Sequence, residues 1–468
     1  MLSYGGLFTA VCALASSAAA LAPLEVQGKD FINSKTKDRF QILGVDYQPG
    51  GESGFSSKKD PLSQPKQCLR DAALMQRLGI NTIRVYNLEP TLNHNECASI
   101  FNAAGIYMIL DVNSPFETGS LDRAKPWNSY NAGYYKQVFG VIEAFKNFDN
   151  VLGFFAGNEV VNEKATFSAP KYVRAVVRDM KDYIKKNAKR SIPVGYSAAD
   201  IRDILMDTAH YFECNLKNST TSSADFFGVN SYSWCGDSSY KKSGYNVLTE
   251  DFSNATVPVF FSEYGCNEVT PRKWTEVQAL YGEEMTQAFS GGLVYEWTYE
   301  SNKYGLVEVK DDKVTLLQDF ANLQEQFGKL DMDRIMKSNA SQTSVKAEDC
   351  SASRITDKTF YNAWDLPKAP SKVSDYIESG LPSAPSGSWV KVSSTTIPDD
   401  VYDHNDKKVE NVQFKVTSGT EPNSPSSGSG TSSSSGSSET TSNAASVNGA
   451  PLAMGGLGGL FMLVASLL

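Results

Sequence analysis

The sequence predicts an α/β protein of the (β/α)8 TIM barrel class, with a short C-terminal extension and a disordered Ser-rich stalk. Three observations predict it. From Phe40 onward, short apolar runs alternate with longer amphipathic stretches, the pattern of strands buried on both faces and joined by helices. The apolar runs number eight. The span from Leu24 to Lys329 suits the roughly 250 residues of a usual barrel, so residues 21–330 are expected to hold the whole catalytic fold. A doubly wound open sheet competes, but no glycine-rich nucleotide fingerprint follows the first run.

In chain order, the eight expected strands are 41–47, 82–86, 107–112, 152–156, 193–196, 226–230, 257–262 and 292–297. Helices are expected between them, among others over 66–78, 131–148, 169–187 and 275–289. In the second of these, Tyr134, Tyr135, Val138, Phe139, Ile142 and Phe145 recur at helical spacing and leave Lys136, Glu143 and Lys146 on another face, so it should pack outside the barrel. Gly79 after Leu78 suits a helix C-cap before the second strand. Beyond Leu330 the periodicity fades, and residues 331–416 read as an extension tied back through Cys350. Residues 417–447 turn to Ser, Gly and Thr, which bury too little apolar surface to offset chain entropy.

The ends of the chain point to export. Leu7 to Leu21 is apolar and closes on Ala18-Ala19-Ala20, as a signal peptide over residues 1–20 requires. Met454 to Leu468 is apolar and uncharged, shorter than the about 20 residues of a membrane span, and follows small residues at Asn443 and Asn448. Residues 448–468 therefore read as a removable glycosylphosphatidylinositol anchor signal, attached at Asn448 or Asn443, for a protein of the plasma membrane or cell wall. Losing Cys12 leaves six cysteines, Cys68, Cys97, Cys214, Cys235, Cys266 and Cys350, enough for three disulfides. Asn218, Asn254 and Asn339 head glycosylation sequons. Scattered histidines and the absence of a CxxC pair support neither a metal nor a redox cofactor. A net charge of −9 without a basic cluster argues against nucleic acid and for a neutral ligand. A monomer is expected.

Barrel enzymes carry their chemistry at the C-terminal ends of strands. Here those ends are Asp46-Tyr47-Gln48, Arg84 with Tyr86-Asn87, Asp111 with Asn113, Asn158-Glu159, Tyr196 with Asp200, Asn230 with Tyr232, Glu263-Tyr264, and Tyr295-Glu296. Glu159 and Glu263 directly follow strongly apolar runs on the fourth and seventh units, so they should meet across the mouth. A retaining glycosidase needs such a pair, with Glu159 as acid and base and Glu263 as nucleophile. Asn158 is placed to bond the sugar 2-hydroxyl, and Tyr232 and Tyr295 to orient Glu263. Arg84 should pair with a carboxylate and keep Glu263 ionised by lowering its pKa. Tyr86, Tyr107, Trp127, Trp234 and Trp297 offer flat faces for pyranose rings, with packing as the competing role.

At this point the residues resemble the fungal glycosylphosphatidylinositol-anchored β-1,3-glucanosyltransferases, glycoside hydrolase family 72. The resemblance rests on Gly44-Val45-Asp46-Tyr47-Gln48-Pro49-Gly50-Gly51, Arg84-Val85-Tyr86, Leu110-Asp111-Val112-Asn113, Gly157-Asn158-Glu159, Asn230-Ser231-Tyr232-Ser233-Trp234-Cys235, Ser262-Glu263-Tyr264-Gly265 and Gly292-Leu293-Val294-Tyr295-Glu296-Trp297. It implies an enzyme that cleaves an internal β-1,3 linkage, holds the fragment on Glu263 and passes it to the non-reducing end of another β-1,3-glucan. It also implies sugar contacts at Tyr86, the loop 113–121, Asn158, Asp200, Arg202 and Tyr295, to which the strand ends add Asp111 and Tyr232. The disulfides it implies are Cys68 with Cys97, Cys214 with Cys350, and Cys235 with Cys266. Some members carry a cysteine-rich carbohydrate-binding module, but only Cys350 follows the barrel here, so this is the short type. The residues alone reach a retaining glycosidase; a β-glucan hydrolase and a non-catalytic glucan-binding wall protein stay open beside the transferase.

Overall fold

The computed structural model describes residues 20–425 except 218, 220, 312, 337–339, 341, 398 and 418–419. Eight parallel strands close into one barrel: β1 Ile42–Asp46, β2 Thr82–Val85, β3 Tyr107–Asp111, β4 Val151–Asn158, β5 Val194–Ala199, β6 Phe227–Ser231, β7 Val259–Tyr264 and β8 Gly291–Val294. Each pairs with its sequence neighbour, and β8 returns to β1 through Leu293 beside Gly44 and Val294 beside Val45. Nearly every strand residue is buried, which is why the runs carry no polar alternation.

The helices follow their sequence signals. α1 (Pro65–Leu78) starts on a proline that needs no amide partner and stops at Gly79, whose φ of 81° is costly for a residue with a Cβ. The next two are α2 (Asn95–Ala103) and α3 (Ala132–Phe145). The Asn131 side chain accepts from the Gly133 and Tyr134 amides and so fixes the start of α3. α4 (Pro170–Asn187) lies beside it, with Tyr183 stacked on Phe139 at 4.0 Å between ring centres. α5 (Arg202–Glu213), α6 (Tyr245–Asp251) and α7 (Glu276–Leu280) follow β5, β6 and β7, and α8 (Gln318–Phe327) closes the ring. The single helix expected over 275–289 is broken instead: α7 ends at Leu280, with Tyr281 as its C-cap before Gly282, a poor helix former, and the chain resumes as a 3-10 turn at Met285–Gln287. The last strand is also shorter than expected. It ends at Val294, and the Trp297 amide reaches back to the Asp46 carbonyl at 2.9 Å.

A small antiparallel sheet, Leu24–Gln27, Asp30–Asn33 and Arg39–Phe40, covers the N-terminal end of the barrel. Phe31 enters a cluster with Phe226 and Phe260, and the Tyr107 hydroxyl donates to the Ala22 carbonyl at 2.6 Å. Tyr107 is thus part of this floor and no sugar platform. Gly195 lets the Phe226 ring in, since a Cβ there would stand 2.3 Å from it.

The extension packs along the barrel. Trp364 stacks on Tyr211, Trp389 meets Phe148 edge-on, and the helix Ser371–Ser379 lies along α4. Disulfides join Cys68 to Cys97 between α1 and α2, Cys214 to Cys350 between α5 and the extension, and Cys235 to Cys266 between the loops after β6 and β7. Their Cα separations of 5.5, 4.9 and 5.2 Å suit bonded pairs. The packed chain runs past the expected boundary at 416: the Thr417 amide donates to the Ala103 carbonyl, which the end of α2 leaves free, and the Asn423 amide to the Gly105 carbonyl just after it. No helix among the described residues is long and apolar enough to cross a membrane. The segments expected as signal peptide and anchor signal, most of the expected stalk, Asn443 and Asn448, and the sequon residues Asn218 and Asn339 lie outside the described residues. Asn254 is exposed at the end of a 3-10 turn.

Candidate active site

The C-terminal ends of β2, β3, β4, β6 and β7 meet around Arg84, which has no exposed surface. Its Nε and Nη2 donate to the two oxygens of Asp111 at 2.9 and 3.3 Å, and Nη2 also reaches Asn158 Oδ1 at 2.9 Å. Its Nη1 reaches the Ser262 carbonyl at 3.1 Å and Glu263 Oε1 at 3.3 Å. One guanidinium therefore fixes the positions of three strand ends. Asp111, expected at the sugar, is fully engaged with Arg84 and only 3% exposed.

Glu159 leaves β4 with a φ of 48°, unusual for a side-chain-bearing residue, and its amide donates to the Ser197 carbonyl at 2.9 Å. That bend brings its carboxyl to Asn230, whose amide nitrogen donates to Glu159 Oε1 at 2.8 Å and to Asn158 Oδ1 at 3.1 Å. Ser197 and Ser262 hydroxyls in turn donate to Asn230 Oδ1 and hold its amide in that orientation. On β7 the pairing with β6 skips between Phe261 and Glu263, a bulge that re-aims the side chains at the strand end. An unbroken polar chain runs Glu159, Asn230, Asn158, Arg84, Glu263.

Glu263 receives two more hydrogen bonds, from the Tyr232 hydroxyl at 2.7 Å and the Tyr86 hydroxyl at 2.9 Å. Tyr86, not Tyr295, is the second tyrosine on this carboxylate. Tyr295 only packs against the rings of Tyr86, Tyr232 and Tyr304. The signal was available: Arg84 and Tyr86 are two apart, so one strand face presents both. Burial pushes the Glu263 carboxyl up to about 7, and the charge of Glu159 adds to that, while Arg84 and the two tyrosine hydroxyls oppose it. Arg84 thus acts in the expected direction but does not prevail, because burial is the largest effect and its charge is shared with Asp111.

The remaining candidates ring the mouth. Asn113 accepts from the Tyr134 hydroxyl at 2.8 Å and donates to the Ala156 carbonyl at 3.2 Å. In the loop after it, Phe116 packs on Phe55 and stays 39% exposed. Asp200 accepts from Arg202 and from the Ser231 hydroxyl, which puts that pair at the ends of β5 and β6. Trp127 is exposed, but Trp234 is buried with its indole N–H on Thr275, and Trp297 is wholly in the core. Among the described residues the one cluster with metal-ligand spacing, Cys235, Cys266 and Glu268, has its sulfurs in a disulfide.

Glu263 is buried and Glu159 half-buried, within electrostatic reach of each other at the mouth of the barrel. The family described as Glucanosyltransferase, glycoside hydrolase family 72, matches residues 13–331. The chain belongs to this glucanosyltransferase family. It is 64% identical over 424 residues to the 1,3-beta-glucanosyltransferase gel2 of Aspergillus fumigatus, covering 90% of this chain and 89% of that one. It is 44% identical to the probable 1,3-beta-glucanosyltransferase GAS3 of Saccharomyces cerevisiae, over 81% and 76% of the two chains. Among solved structures, Saccharomyces cerevisiae Gas2p in complex with laminaritriose and laminaritetraose shares the fold of this glucanosyltransferase with a TM-score of 0.68 and 37% identity, over 76% of this chain and 78% of that one.

Proposed function

We propose that the chain is a retaining β-1,3-glucanosyltransferase in which Glu263 is the nucleophile and Glu159 the acid and base. Glu263 attacks the anomeric carbon while Glu159 protonates the glycosidic oxygen, so the reducing-end fragment leaves and the other fragment becomes an ester of Glu263. Glu159 then takes the proton of an acceptor hydroxyl at the non-reducing end of a second glucan, which attacks the same carbon and expels Glu263. One β-1,3 linkage is broken and one is made. Asn158 uses its oxygen on Arg84 and Asn230, which leaves its N–H groups for the sugar 2-hydroxyl. Tyr86, Asn113, Asp200, Arg202, Tyr232 and Tyr295 line the same mouth as the proposed sugar contacts. The laminari-oligosaccharides in the Gas2p structures support a β-1,3-glucan donor and acceptor. The signal, stalk and anchor segments of the sequence support a protein held at the cell surface, in membrane or wall.

The observation that carries this reading is the hydrogen-bonded chain that joins the two glutamates. A reduced β-1,3-oligosaccharide incubated with the purified protein should yield products longer than the donor by mass analysis. Only shorter products would favour the hydrolase, and no turnover the glucan-binding protein.

A further inference from the structure

Asp46 is an acid at the site that the reaction as written leaves unused. Asp46 closes β1, has no exposed surface, and is held by register with Arg84 on β2 and by the Trp297 amide on its carbonyl. The groups facing its side chain are Arg84 and Tyr86 from β2, Tyr232 after β6, Glu263 from β7, and Tyr295 and Glu296 after β8. Arg84 is the sole cation among them, and its nitrogens are already committed to Asp111, Asn158, Ser262 and Glu263. By geometry neither Asp46 oxygen has a hydrogen-bond partner among the described residues; the Tyr86 hydroxyl is close enough to lower the Asp46 pKa, but its hydrogen bond goes to Glu263 Oε1 at 2.9 Å. A buried carboxylate with no donor is strongly disfavoured, whereas a neutral carboxyl is itself a donor that needs only an acceptor. The Tyr86 phenol oxygen has lone pairs free for that purpose.

We propose that Asp46, as the neutral acid, is a positioning residue that donates to the Tyr86 phenol oxygen and so keeps the Tyr86 hydrogen aimed at Glu263. The inference rests on the role given to Glu263 above. Burial, with the nearby charges of Glu263 and Glu296, pushes the Asp46 carboxyl well above the usual range against the pull of Arg84 and of the Tyr86 hydroxyl, in agreement with a retained proton. Two hydrogen bonds in series polarise one another, so Tyr86 becomes a stronger donor than a lone phenol. When the glycosyl ester breaks, negative charge returns to Glu263, and that donor is already in place. Asp46 keeps its proton throughout and touches no sugar.

Four variants of the purified protein test this: Asp46→Leu, Asp46→Asn, Tyr86→Phe and the double Asp46→Leu with Tyr86→Phe. Asp46→Leu should lower kcat about 10²-fold with KM for the oligosaccharide donor unchanged. Asp46→Asn, which can still donate, should recover to within about tenfold of the parent, and the double variant should be no slower than the slower single. Equal loss in the Leu and Asn variants, a loss expressed in KM, or multiplying losses in the double would each overturn the relay. Infrared difference spectra at neutral pH, parent minus Asp46→Asn, should show a protonated carboxyl band; its absence would also overturn it. That readout needs no turnover, so it stands apart from the transfer assay, whose failure would strike the proposed function alone.

Discussion

The two ends of the barrel are built from the same eight strands and could hardly differ more. At the N-terminal end Phe31, Phe155, Phe226 and Phe260 pack ring against ring beneath a small sheet. At the other end, in place of rings, stand Asp46, Arg84, Asp111, Asn158, Asn230 and Glu263, buried or nearly so. The floor is stabilised by removing apolar surface from water, a non-directional gain. The mouth buries charge, which is tolerable only because directed hydrogen bonds meet most of it. The difference teaches that this fold separates stability from chemistry along the barrel axis.

The largest test of that separation is Glu263→Gln or Glu159→Gln, each expected to lower transfer by about 10³–10⁴-fold while leaving the thermal midpoint near the parent's. A midpoint that collapsed would mean the mouth also carries the fold. The mirror experiment is Phe226→Ala on the floor, expected to cost about 3–5 kcal/mol by denaturant titration while the folded fraction keeps its kcat. Lost turnover in the folded fraction would break the comparison from the other side. Tyr232→Phe removes one hydrogen bond to a charged group and should lower kcat/KM about 10–100-fold. Because that bond lowers the Glu263 pKa, its loss should also move the acid limb of kcat/KM further up from its expected place near 7.

Stability against pH gives the last test. Glu213, Glu263, Glu276 and Glu296 are raised by burial from 4.5 to about 7, so the folded chain holds protons that the unfolded chain has released. Their stabilising contribution is full below about 4.5 and is lost as pH rises through about 7. Calorimetry should therefore find a lower midpoint at pH 8 than at pH 5, about as steep in Phe226→Ala and shallower in Glu263→Gln.

The strand pattern was legible because a strand covered on both faces must be apolar throughout, and residues 107–111 or 259–261 show this without any partner in view. Glu159 and Glu263 were legible as the acids that end two such runs. Tyr107 and Trp297 were not legible as core, since an aromatic ring at a strand end has the same letter whether it faces a sugar or a floor. The helix expected over 275–289 failed at Gly282, where a local break competed with an otherwise helical spacing. Asp111 was legible as a polar strand end, but not as the partner that divides the charge of Arg84.

By itself, the sequence determined the number of barrel strands, the end that carries the polar groups, and the two glutamates among them. Those follow from neighbour-to-neighbour periodicity, which needs no knowledge of what lies across the barrel. Only the tertiary structure decided that Tyr86 rather than Tyr295 reaches Glu263, that Asn230 links the acids, and that burial raises Glu263 to about 7 and Asp46 well above the usual carboxylate range. Protonation depends on burial and on charges brought together from residues far apart in the chain, and those quantities exist only once the barrel has closed.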